Sequence, residues 1–126
     1  MADGEALAFL SSNAVTLAEL RQLAGPASLG SAVLSRGAEE HAAFSPQAAR
    51  AAAAMVPRLG TVLARDLVAA VRALRQRGAI PASAPLRALY DQCLIAFPAD
   101  DEDRPLDEDI AVAERVIAEL AAGRDG

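Results

Sequence analysis

The 126-residue chain has no tryptophan and no lysine, a single cysteine and a single histidine, and aromatic side chains make up only 3% of it. Each scarcity narrows the chemistry. With Cys93 alone, no internal disulfide can form and nothing points to an oxidising compartment. Its neighbours Leu94, Ile95 and Phe97 mark it as a buried thiol rather than a nucleophile. One histidine and one cysteine fall short of the four-ligand set of a structural zinc. No apolar run is long enough to span a bilayer, and the acidic N-terminus lacks the basic start of an export signal. The expected location is therefore the cytoplasm. A net charge of −5 argues against nucleic acid as the main partner.

What the chain does have is alanine, leucine and arginine at helical spacing. Over half of it is hydrophobic, at 53%. Alanine is the best helix former and lets backbones pack closely, but each buried alanine removes little apolar surface from water. The expectation is an all-α fold of long helices forming part of a bundle, a single helical domain over residues 1–126 with a thin core that needs a partner surface.

The periodicity divides the chain into four helical stretches. Glu5 to Leu23 repeats Leu7, Leu10, Ala14 and Leu17 on one face, widened by Phe9 and Leu20, and Gly25-Pro26 stops it. A loop rich in Ser, Gly and Ala runs to about Gly37. The second helix has two possible starts, Glu39 or Ser45-Pro46, where Ser can cap and Pro suits the first turn. Pro57 is expected to kink or interrupt it. Leu59, Leu63, Leu67, Val71 and Leu74 then form an apolar stripe with Val62 and Ala70 beside it, and Arg58, Arg65 and Arg72 recur on another face. Gly78 is placed to cap the end and Pro81 to prevent continuation. Arg72, Arg75 and Arg77 read as positive charge at a helix C-terminus, favoured by the dipole. A short helix from Pro85 to Ala96 carries Leu86, Leu89, Tyr90 and Leu94. Asp107 is a suitable cap for the last helix, with Ile110, Ala113, Ile117 and Leu120 as its apolar face and Gly123 as its end. No stretch reads as a strand.

Polar clusters that could carry chemistry are few. Glu39-Glu40-His41 sets two carboxylates beside an imidazole, a group able to move protons or hold a substrate ammonium. The same residues at a helix start are compatible with the helix dipole alone, and the local pattern favours that structural role. Ser28, Ser31 and Ser35 lack a nucleophile elbow and read as loop-capping serines. The acidic loop Asp100 to Asp103 lacks the spacing of a calcium loop, and reads as solvated charge with an Asp103–Arg104 anchor.

The order of these pieces resembles the C-terminal part of the aromatic amino-acid ammonia-lyases, the histidine/phenylalanine ammonia-lyase family whose electrophile is a methylidene-imidazolone (MIO). Ala18-Glu19 lead into Leu23-Ala24-Gly25-Pro26-Ala27-Ser28, followed by Ser31, Ser35, Gly37, Glu39, Glu40 and His41. That series is similar to the family's Leu-Ala-x-Pro-Ala-Ser segment and its Gly-Gln-Glu-Asp-His motif. Downstream, Ala48 to Arg50 resembles the helix after the motif, and Asp103-Arg104-Pro105-Leu106 with Asp109-Ile110 resembles an element near the family's C-terminus. The likeness runs from about Phe9 to Leu120. Ala38, Glu40 and Ala43 depart from the family's Gln, Asp and Ser.

The resemblance implies that Glu39 is the active-site glutamate near the substrate amine, with Glu40 and His41 in support. It also implies what is missing. The family forms MIO from an internal Ala-Ser-Gly, and this sequence has none; Ala27-Ser28-Leu29 lacks the glycine. The lobe bearing the family's catalytic tyrosine is absent as well. The implied function is a small subunit or C-terminal fragment of a split ammonia-lyase or aminomutase, inactive alone. It would join a larger Ala-Ser-Gly-bearing chain in a hetero-oligomer that carries MIO and binds the aromatic amino acid at a shared site. The competing reading is a catalytically inactive helical scaffold derived from that family. A small independent enzyme using Glu39 and His41 as acid and base ranks below both.

Overall fold

The computed structural model describes residues 3–30, 44–98 and 104–123. They form four α-helices: α1 over Asp3–Leu23, α2 over Ser45–Arg77, α3 over Ala84–Ala96 and α4 over Asp107–Ala122, with a short 3-10 turn at Ala27–Gly30. Among the described residues there is no strand, and the fold is all-α as expected.

The 33-residue α2 is the central element, about 50 Å long at 1.5 Å per residue. It packs against α1 on one side and α4 on another, while α3 closes the far end against α2 and α4. Ala64, Val68 and Val71 of α2, Tyr90 and Cys93 of α3, Phe97 just after it, and Ala113 and Val116 of α4 make the apolar core. Small side chains predominate there, as the alanine-rich composition requires. Thr61 adds a polar tie, donating to the Glu114 carboxylate of α4 at 2.7 Å.

Several local expectations are corrected. Pro57 does not interrupt α2, which runs through it without a break. Proline removes the hydrogen bond to Ala53, and both residues lie on the exposed side, where water can take that carbonyl. Of the two possible starts, the helix begins at Ser45, but Phe44 occupies the cap position and Ser45 is already helical. Likewise Leu106, not Asp107, precedes α4, and Asp107, Glu108 and Asp109 form its acidic first turn. Gly78 does end α2 in the left-handed conformation, φ 59°. Its amide donates to Arg75 and that of Ala79 to Leu74, the paired bonds of a Schellman motif.

The apolar faces match those expected in part: Leu67, Val71 and Leu74 of α2, Leu89 and Tyr90 of α3, and Ile110, Ala113 and Ile117 of α4 lie in or against the core, while other expected residues face outward. On α2, Val68 and Ala64 are fully buried, whereas Leu59 and Leu63 are 50% and 45% exposed. On α3 the inward residues are Tyr90 and Cys93, with Leu89 half-buried, and Leu86 and Leu94 are exposed. On α1, Leu20 is buried while Ala14 and Leu17 face outward. On α4, Ala113 and Val116 are buried, Ile110 and Ile117 half-buried, and Leu120 exposed.

Candidate functional site

The Glu39-Glu40-His41 cluster, with Ser31, Ser35 and Gly37, lies outside the described residues. The frame on either side of it is described. The α1 helix closes at Leu23 with Ala24 and Gly25 amides still bonded back to Leu20 and Gln22, at 2.9 and 3.2 Å. Pro26 then starts the 3-10 turn, whose Leu29 amide donates to the Pro26 carbonyl at 3.1 Å. That turn packs on α2. The chain re-enters described structure at Phe44, immediately before α2. The described chain thus leaves the α1–α2 pair at Gly30 and returns to it at Phe44.

That pair is held by a row of arginines. Residues seven apart in a helix return to nearly the same face, so Arg58 and Arg65 both project toward α1. Arg58 Nε meets the Glu19 carboxylate at 3.1 Å. Arg65 Nη1 donates to the Ser12 carbonyl at 3.2 Å and to the Thr16 hydroxyl at 2.9 Å. Asn13 adds a 2.8 Å bond to Asp66. The third member, Arg72, is only 2% exposed. Burial of a guanidinium is tolerated only with hydrogen-bonded partners, so Arg72 is an internal fixture and not surface charge.

The expected basic cluster at the end of α2 is therefore not one feature. Arg72 is buried, Arg75 reaches across to the Pro98 carbonyl at 2.6 Å and pins the end of α3, and Arg77 is exposed. Arg77 stands two positions from Arg75 and five from Arg72, which on a helix puts it on a different face from both.

The C-terminal Asp-Arg-Pro-Leu element is also structural. Arg104 Nη2 reaches both carboxylate oxygens of Asp109 at 3.0 and 2.9 Å, and its Nη1 donates to the Pro105 carbonyl at 3.0 Å. Asp109 is 3% exposed. The expected anchor at Asp103 involves a residue outside the described stretches; within them, Arg104 ties the loop to the first turn of α4. The signal available for this in the sequence was the acidic run Asp107 to Asp109 that follows Arg104.

Cys93 is fully buried, and burial pushes its thiol above the ordinary range, with a smaller opposing pull from Arg75. It stays protonated and unreactive at neutral pH. A shallow depression of about 330 Å³ lies between Ala82, Ala84, Arg87, Ala88 and Asp91. Arg87 there is already bonded to the Pro81 carbonyl, and no nucleophile or imidazole lines the depression. Among the described residues, no three His, Cys, Asp or Glu side chains come together as a metal site, and no helix is long and apolar enough to cross a membrane.

The described residues are all-α, and the motif order in the sequence is the feature that points to a lyase. Residues 7–94 match the family model of the aromatic amino acid lyases, and the chain belongs to that family. It is 32% identical over 105 residues to a histidine ammonia-lyase of Sorangium cellulosum (strain So ce56), a match covering 83% of this chain and 20% of that protein. It is 31% identical over 105 residues to the histidine ammonia-lyase of Geobacillus thermodenitrificans (strain NG80-2), covering 83% of this chain and 21% of that protein. The chain thus spans about a fifth of the length of the curated relatives it matches. No solved structure matches it.

Proposed function

We propose that this chain is the small subunit, or C-terminal fragment, of a split MIO-type aromatic amino-acid ammonia-lyase or aminomutase, contributing Glu39 to a site completed by a larger chain. The observation that carries this reading is the Gly37 to His41 motif, kept in a chain that spans only a fifth of its relatives and contains no Ala-Ser-Gly.

The residues of this chain do not fit a resident MIO. Cyclisation needs a glycine amide free to attack the alanine carbonyl, and the position after Ser28 is Leu29. The Leu29 amide is already committed to the Pro26 carbonyl inside the 3-10 turn. The larger chain would supply that electrophile.

The share of this chain is a carboxylate. The Glu39 carboxylate accepts hydrogen bonds from a substrate ammonium and fixes the amine where it departs or migrates. Glu40 and His41 lie beside it in sequence and set the local charge and hydrogen bonding. The helices that flank this motif in sequence, α1 and α2, are tied to each other by Arg58 and Arg65.

The test is reconstitution. Co-expressed with the Ala-Ser-Gly-bearing lyase-like chain of the same genome, this protein should deaminate an aromatic amino acid, histidine being the first to try, with the α,β-unsaturated product followed by its ultraviolet absorbance. Glu39→Gln should lower kcat about tenfold to a hundredfold, the worth of a charge-assisted hydrogen bond. Unchanged turnover in the variant would show that Glu39 is not the working carboxylate. The missing tripeptide favours one other reading, an inactive helical scaffold; a stable complex that never turns over any aromatic amino acid would establish it.

A further inference from the structure

We propose that the outer face of α2 formed by Val56, Leu59, Gly60 and Leu63 is a docking face for an apolar helix of the Ala-Ser-Gly-bearing lobe. The inference rests on the subunit reading above and assigns the surface that joins the two parts.

Val56, Leu59 and Leu63 are spaced three and four apart, so they form one stripe along the helix. All three are exposed, Val56 at 69%. Exposed Ala52 and Ala70 extend the stripe at either end. The other sides of α2 are already occupied. Arg58 and Arg65 face α1, and Ala64, Val68 and Val71 enter the core with α3 and α4. The stripe is the third side of a central helix, and among the described residues no element packs on it.

Gly60 is the independent observation. It lies four residues after Val56 and three before Leu63, on the edge of the same stripe. A Cβ added there would meet no atom within 4 Å. Nothing among the described residues therefore requires glycine, and glycine in a helix interior is unfavourable relative to the alanine that is frequent in the rest of α2. What glycine provides at such a position is room for a facing backbone to come close. The flanking Val56 and Leu63 make the walls of a hollow that a knob from the facing helix can fill.

The occupant is a large lobe and not a second copy of this chain. Large apolar residues are exposed on every helix: Val15 on α1, Leu86 and Ile95 on α3 and Leu120 on α4, besides the α2 stripe. A two-fold dimer would cover one of these patches with itself and leave the others in water. A lobe several times larger than this chain can cover several. About four-fifths of the relatives' length lies outside their match to this chain, and the α2 stripe lies within the family-matched residues 7–94.

The experiment is affinity measurement between this protein and the Ala-Ser-Gly-bearing lyase-like chain of the same genome, by titration calorimetry or co-elution, with circular dichroism of each free variant. Gly60→Leu fills the hollow from a position where a Cβ meets no atom of the described residues, and Leu59→Arg places a charge on the stripe. Both should keep the helical spectrum and weaken the complex at least tenfold. Leu59→Arg supplies the reading on its own where Gly60→Leu changes helix content. If the wild-type protein binds and both variants bind as tightly, the docking face is wrong while the subunit reading stands. If the wild-type protein binds no such chain, both fall. If instead it forms a homodimer that the variants dissolve, the occupant is a second copy and the proposal is overturned.

Discussion

Arg104 meets Asp109 where the carboxylate side chain is only 4% exposed, whereas Arg58 meets Glu19 where the two side chains are 40% and 53% exposed. The chemistry of the two pairs is the same and the solvent decides their weight. Exposed pairs trade water for each other at little net gain, typically below about 1 kcal/mol. Removing one partner of a buried pair strands the other, at about 3 kcal/mol or more. Asp109→Ala should therefore lower unfolding stability by about 3 kcal/mol, against less than about 1 kcal/mol for Glu19→Ala, measured by urea denaturation. Equal losses would mean that Arg104 finds other partners once Asp109 is gone. Both acids fall in stretches that resemble family motifs, yet Glu19 here joins α1 to α2 and Asp109 ties the preceding loop to α4.

At the level of the helix, Gly78 is the point where α2 must end. Its φ of 59° lies in the left-handed region, where a Cβ is strained. No atom would obstruct a Cβ there, so the backbone angle alone sets the penalty. Gly78→Ala should cost about 1 kcal/mol by urea or thermal unfolding, with the helix content kept. That stop, the break at Gly25-Pro26 and the existence of all four helices were legible in the sequence, because glycine and proline act through local backbone geometry. The inward faces were legible only in part. Leu59 and Leu63 are more apolar than Ala64, yet Ala64 is buried, because in an alanine-rich helix the close approach of a neighbour selects small residues. The same blindness hid the partners of the arginine row: Arg58 and Arg65 could be seen to share a face, but not that α1 would lie across it. Glu39 is a different case. Two acids at a helix start look alike whether they serve the dipole or a substrate, and only the order of motifs across the chain separates the two.

Across the whole molecule, buried and exposed apolar residues are comparable in kind and opposite in consequence. Val68 is fully buried among α2, α3 and α4, and Val68→Ala should cost about 2 kcal/mol from lost transfer energy and the cavity left behind. Leu59, half in water, should tolerate alanine within about 0.5 kcal/mol in the free chain. The order should change in the complex. A leucine side chain fully buried at an interface is worth about 1.5–3 kcal/mol, so Leu59→Ala should lower affinity for the Ala-Ser-Gly-bearing chain by roughly tenfold or more. Urea unfolding of the free variants beside binding titrations of the same proteins makes the comparison. A surface of this kind is costly for a protein that works alone, since contiguous exposed apolar residues invite association. It costs nothing in a protein whose stripe is covered when it works. The free energy missing from the thin internal core is then recovered at that boundary. If Leu59→Ala lowered the stability of the free chain as much as Val68→Ala, the stripe would be part of the fold and not of an interface.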